Sequence, residues 1–180
     1  MGRIEELAEL YTRTISIPWP QSASGAERVL MAVYSTSLER TLRARIGLFA
    51  DATAQAGHGW RLVDATNWFA EWMAGQEYAQ SYFETPEDIR PLVEAEFRGY
   101  VASRLKKELA SAGPAEVVGL MGVASLYGFV RISELIRAVE PDIKGRLVVL
   151  FPGTKDGNNY RMLDAHDGWN YLANGISVSA

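Results

Sequence analysis

"EVVGLMGVASLYGFVRISELIRAVEPDIKGRLVVLF", residues 116–151, sets two apolar runs of strand length on either side of one amphipathic segment. The first run, 116–123, and the last, 146–151, are apolar at nearly every position, the pattern of strands covered on both faces. Between them, residues 125–140 repeat their apolar side chains at helical spacing and stop at Pro141. A strand, a helix and a strand of this length form a crossover unit, so the two strands are expected to lie parallel.

The same alternation extends upstream. "RVLMAVY", 28–34, predicts a first strand, and "WRLVDAT", 60–66, a second. Between them "LERTLRARIGLFADATAQAG", 38–57, predicts one helix with Leu38, Leu42, Ile46 and Phe49 on its buried face. Ser35, Thr36 or Ser37 would cap it, and Gly57 would close it in the left-handed conformation. Thr66 or Asn67 would cap a short helix, "WFAEWMAG". "TPED" at 85–88 would open a long helix running to Ala112, with Pro91 tolerated in its first turns or dividing it. Residues 76–85 carry no clear signal. Ile4, Leu7, Leu10 and Tyr11 mark an N-terminal helix over 3–14, and "YLANGISVS", 171–179, a final strand. The expectation is one α/β domain over 1–180, with an N-terminal helix and linker in 1–27 and a core in 28–180. Its sheet has about five mostly parallel strands with helices on both faces. The order is Rossmann-like or P-loop-like without a phosphate loop. Segments 15–27 and 153–170 read as flexible.

Composition narrows the chemistry. The chain of 180 residues has no cysteine, which removes disulfides, cysteine-ligated zinc and thiol nucleophiles. A formal net charge of −4 disfavours an extended basic groove for nucleic acid. No apolar run reaches membrane-spanning length and the N-terminus lacks a signal-peptide pattern, so a soluble, cytosolic protein without a membrane partner is expected.

In parallel sheets ligands gather beyond the carboxyl ends of the strands. "YSTSLER" after the first strand is neither a Walker A loop nor G-x-G-x-x-G, so Ser35, Thr36 and Ser37 read as caps. Asp64 ends the second strand where a ribose-binding acid would sit, but the glycine fingerprint is missing. "MGVAS" is not a nucleophile elbow: Gly122 reads as a sharp turn and Ser125 as a cap. Gly153 and Gly157 lack the Lys-Ser pair of a phosphate loop, and "KDGN" reads as a tight turn around Asp156 and Gly157. Asp156, Asp164, His166 and Asp167 offer hard ligands without a known metal spacing, and His58 reads as a turn residue. No catalytic residue, metal site or cofactor is therefore assigned. Carboxylate acid–base chemistry stays open. Trp68 and Trp72, one turn apart, carry more aromatic area than a two-turn helix needs for docking on a sheet. Trp72 is expected to be partly exposed and to anchor a protein partner.

Four stretches taken together resemble the BrxB family of BREX phage-defence systems: 28–46, 60–73, 116–141 and 146–164. The third supplies Gly122, Val123, Tyr127 or Phe129, and Arg131; the fourth supplies Phe151, Pro152, Gly153, Asp156 and Gly157. The chain departs from the family where Ala124 stands in a Gly-Val-Gly turn and where "WNYLANGISVS" replaces a tyrosine-rich, arginine-bearing tail. The resemblance implies a non-catalytic accessory or scaffold subunit. It would act by protein–protein binding to a PglZ-type phosphatase-fold protein, beside a DNA methyltransferase and a large ATPase. Trp68, Trp72 and Arg131 are its candidate partner-binding residues, and Gly122, Gly153, Asp156 and Gly157 its candidate functional turns. The rival readings are a small-molecule or nucleotide-binding α/β domain and, behind it, a metal-dependent hydrolase using the carboxylates of 156–167.

Overall fold

The run Val29–Tyr34 forms β1 and is buried at all six positions, because both faces of the strand are covered by helices. The computed structural model describes residues 1–163 and 169–178. Around β1 stand β2 (Gly59–Asp64), β3 (Glu116–Met121), β4 (Arg146–Asp156) and β7 (Asn174–Ser177), all parallel, in the order β2-β3-β4-β1-β7. Two further strands, β5 (Asn159–Met162) and β6 (Trp169–Asn170), continue from β4 as antiparallel neighbours. The expected parallel α/β domain is present.

The crossovers explain which helix covers which face. From β1 the chain crosses to β2 at the far edge, then returns strand by strand through β3 to β4. Right-handed crossovers travelling in opposite directions must lie on opposite faces. Accordingly α2 (Glu39–Arg45) and α3 (Gly47–Gln55) join α1 (Arg3–Ile15) over Leu30, Ala32, Val148 and Leu150. On the other face α4 (Trp68–Ala74), α7 (Arg98–Ser111) and α8 (Ile132–Val139) cover Met31, Val33, Val149 and Phe151. Alternate residues of β1 and β4 thus feed two separate cores, as the two-residue period of a strand requires.

On the first face α1 buries Ile4, Leu7, Ala8, Tyr11 and Ile15. The Tyr11 hydroxyl bonds Thr53 Oγ1 at 2.6 Å, and Thr53 in turn donates to the Phe49 carbonyl at 2.7 Å. Burial pushes the Tyr11 phenol up to about 12, against the smaller opposing effect of Thr53. A phenol raised in the folded state favours folding below its ordinary value near 10 and withdraws that stability as pH rises towards about 12. Tyr11→Phe should therefore flatten the fall in stability between about pH 10 and pH 12 seen by urea unfolding. An unchanged alkaline slope would show that Tyr11 does not govern it.

Three helices differ from their sequence-based outlines. The helix expected over 38–57 divides at Ile46, where the Phe49 N–H takes a short-range bond to Ile46 O (3.1 Å) beside Gly47. Its end is as expected: Gly57 has φ +83°, with Gly57 N–H on Ala54 O and His58 N–H on Thr53 O, a Schellman arrangement. The helix expected over 86–112 becomes a 3₁₀ turn (Pro86–Ile89), α6 (Arg90–Leu92), a π-helical turn (Val93–Phe97) and α7. Pro91 has no N–H to give and its ring crowds the preceding turn, so the ladder changes register around it. The helix expected over 125–140 begins only at Ile132, because Gly128 adopts φ +82° and Arg131 takes the extended cap position. Residues 79–84, without signal in the sequence, form the short helix α5 (Ala79–Glu84).

Of the segment 153–170, expected to be flexible, residues 164–168 lie outside the described residues; before them β4 continues to Asp156 and pairs with β5, Gly153 opposite Met162 and Asp156 opposite Asn159. Gly157, at φ +57°, holds the first of the two loop positions, so "KDGN" is the hairpin turn the sequence suggests. Among the described residues no helix is long and apolar enough to cross a membrane.

Candidate functional site

β1 lies between β4 and β7, and the chain leaves β1 and β3 towards opposite faces. This reversal opens the carboxyl edge near β1 and β4, the place where parallel sheets bind ligands. Along the same carboxyl edge of the sheet end three strands: Tyr34 of β1, Asp64 of β2 at the far side, and Met121 of β3, followed by Gly122.

A continuous polar network runs along this edge. The Tyr34 hydroxyl donates to Glu39, and Glu39 Oε1 accepts from Arg43 Nε at 2.9 Å. Arg43 then reaches across to β2, with Nη1 on Asp64 Oδ2 at 3.2 Å and Nη2 on Thr66 Oγ1 at 2.8 Å. Asp64 Oδ1 accepts from the Thr66 N–H at 3.0 Å and from the Thr66 hydroxyl. Burial pushes the Asp64 carboxyl up, but the Thr66 hydroxyl and N–H and the Arg43 guanidinium prevail and hold it below its usual range. Burial, and donation to the Glu39 carboxylate, push the Tyr34 phenol far above its ordinary value. Arg43 is thus a clamp joining the helix after β1 to the end of β2.

The pH dependence follows. A carboxyl depressed in the folded state contributes stability above its ordinary range, and that contribution is lost as pH falls below about 4. Arg43→Gln should cost on the order of 1 kcal/mol at neutral pH, since its side chain is one-third exposed, and the gap from wild type should narrow towards about pH 3. Urea unfolding at both pH values checks this. A gap of equal size at low pH would assign Arg43 to packing of its alkyl stem instead.

Gly122 closes the site from β3. It adopts φ +77°, ψ 15°, and its Cα lies against the Asp64–Thr66 turn, leaving no room for a Cβ. Of the sequence-based candidates, Asp64 is part of the network and Gly122 packs against it. Gly153, Asp156 and Gly157 come together in the β4–β5 hairpin, which continues past the end of β1 because Tyr34 is in register with Pro152. Gly153 is packed against the Arg161 backbone, while Asp156 and Gly157 are exposed at the tip. Arg131 caps α8 with an exposed side chain 3.8 Å from Glu134.

The expected exposure of Trp72 is not found. Trp68 and Trp72 are 3% and 6% exposed, and the aromatic surplus is absorbed by the core. Trp72 lies 5.1 Å from the Phe97 ring, while Phe69 stacks on Phe129 at 4.3 Å. Trp68 receives the Arg104 guanidinium 4.9 Å above its ring. The spare aromatic area thus meets the kinked helix before α7 and the loop before α8, neither of which was visible in the sequence.

The expected caps are absent as well: Ser35, Asn67 and the flanking residues make no side-chain cap bond, and Ser35 and Ser37 pair with each other at 3.0 Å. Asp164, His166 and Asp167 lie outside the described residues. Among the described residues no cluster of His, Asp and Glu is placed to hold a metal. Sequence reasoning missed Tyr34, Glu39 and Arg43, and gave Thr66 only a capping role. The spacing of Glu39 and Arg43 is that of a helical ion pair, but the reach to Asp64 depends on β2 and α2 meeting.

At the opposite edge His58 is stacked on Trp19 at 3.7 Å, and the Arg146 guanidinium lies 4.5 Å above the same indole. A cleft of ≈ 290 Å³ near this end is lined by Ala23, Gly25, Arg28, Glu140, Pro141 and Ile143, at the small end of what a ligand site needs. Arg28 already donates to the Ile143 and Lys144 carbonyls at 2.7 and 3.0 Å.

A protein-family model described as BREX protein BrxB matches residues 60–174. The match takes in Asp64, Thr66, Gly122, Arg131 and the hairpin, and leaves out α1, β1, α2 and α3, and with them Tyr34, Glu39 and Arg43. No curated protein and no solved structure matches the chain.

Proposed function

The chain belongs to the BrxB family and so is a component of a BREX defence system, and from that membership we propose that it is a non-catalytic subunit acting through protein contacts. Its partner in this reading is a PglZ-type phosphatase-fold protein of the same system. The observation that carries the non-catalytic half is the state of Arg43. This cation at the carboxyl edge is held by Glu39 and Asp64 and is not presented to an incoming anion. A phosphate loop also needs glycines that turn backbone N–H groups towards the anion, followed by a Lys-Ser or Lys-Thr pair, and "YSTSLER" after β1 supplies neither.

Two measurements test the reading. Titration calorimetry with ATP and with GTP should give no affinity tighter than roughly millimolar. A tagged chain expressed with its neighbouring BREX genes should co-elute with the PglZ-type protein in a fixed ratio; a chain that elutes without it would refute the partner. The strand order, with its reversal beside β1, favours a second reading as a nucleotide- or small-molecule-binding domain. Micromolar affinity in the calorimetry would establish that reading in place of the first.

A further inference from the structure

Residues 77–89, between α4 and α6, carry Glu77, Glu84, Glu87 and Asp88 and no lysine, arginine or histidine. All four acids are exposed, and among the described residues none is in an ion pair. Interleaved with them are Tyr78 and Phe83, 62% and 71% exposed, the two most exposed aromatic side chains among the described residues. The segment is not loose chain: Tyr82 and Ile89 pack against the core, and α5 holds its turns through Tyr82 N–H on Tyr78 O (3.3 Å) and Thr85 N–H on Ser81 O (3.0 Å). The backbone that carries both aromatic side chains is therefore held, while the side chains themselves stand largely in solvent.

We propose that this segment docks a basic protein partner, one whose arginine- or lysine-bearing surface offers apolar sockets to Phe83 and to Tyr78. Charge chooses the occupant. A second copy would bring four like charges against four, nucleic acid is a polyanion, and an anionic bilayer attracts cationic helices and repels this one. A cationic protein surface pairs the carboxylates while the rings desolvate at the centre, the usual anatomy of an anchored interface. The inference goes beyond the proposed function, because it specifies a surface and a partner chemistry whichever BREX protein is bound.

The test uses the full chain against the purified PglZ-type protein, methyltransferase and large ATPase of the same system, each immobilised in turn for interferometry. Two variants are compared with wild type: Tyr78→Ser with Phe83→Ser, and Glu84→Lys with Glu87→Lys. All four positions are exposed, and unchanged melting temperatures establish that both variants fold. At least one protein should bind wild type, more weakly as salt rises from about 50 to about 300 mM, and both variants should bind it at least about tenfold more weakly. Undiminished binding by either variant would overturn the surface. Binding of wild type to none of the three would overturn it too, and self-association abolished by Phe83→Ser would give the patch to a second copy. A partner other than the PglZ-type protein engaged through these residues supports this inference while refuting the partner named above. A PglZ-type protein bound equally by wild type and variants does the reverse.

Discussion

Replacing Trp72 with alanine should unfold the chain early: a fully packed indole truncated in a core costs about 3–5 kcal/mol, a melting temperature lowered by roughly 6–20 °C at this chain length. Trp72 is 6% exposed, with the Phe97 and Phe69 ring centroids at 5.1 and 6.0 Å, so its removal leaves a void between its helix and the π-helical turn. Against a total stability of about 5–15 kcal/mol, this one change removes a large share. Thermal unfolding of the isolated chain is the measurement. A melting temperature within about 2 °C of wild type would place the indole outside the core and return it to the partner surface.

The second large effect belongs to Gly122→Ala. A non-glycine residue at φ +77° carries a strain of about 1–3 kcal/mol before any contact is counted. The new Cβ would also stand 2.7 Å from the Thr66 nitrogen and closer still to the Asp64 and Thr66 oxygens, so the turn that Arg43 clamps must move. The expected loss is about 2–4 kcal/mol. Urea unfolding of Gly122→Ala, Asp64→Ala and the double variant separates the two contributions. Strain alone predicts additivity, whereas the steric contact predicts a coupling above about 0.5 kcal/mol. Strict additivity would take the Asp64 carboxylate out of the effect and leave it to backbone strain and the Thr66 contact.

The parallel sheet was legible because β1, β3 and the first part of β4 are apolar on both faces, and in a chain that alternates such runs with helices this pattern belongs to a covered parallel sheet. Gly57 and Gly157 were legible because a left-handed residue has a strong glycine preference and both lie where apolar periodicity breaks. Helix outlines were less so. Gly128 lies inside an otherwise helical pattern, and only its φ of +82° shows that the helix waits for Arg131. The site was half legible. Asp64 and Gly122 could be placed at strand ends from the sequence, but the residue that ties Asp64 to the helix after β1, Arg43, lies 21 positions from Asp64 and looks like an ordinary exposed helical arginine. Trp72 failed for a related reason: aromatic excess on one helix reads as exposure only if the opposing surface is known. Phe97 and Phe129, from segments whose shapes were misjudged, form that surface.

The position of β1 in the sheet has a consequence for synthesis. Val29 pairs with Leu147 and Leu30 with Asn174, so the strand made first waits for both of its neighbours. At about 5–20 residues per second, roughly 6–25 s pass between the emergence of β1 and that of β4. Through that interval a strand without a single exposed position in the finished sheet has no neighbour to pair with, and its open backbone and apolar side chains are a target for chaperones and for aggregation. Translation speed over residues 35–145 therefore bears directly on the yield of folded protein.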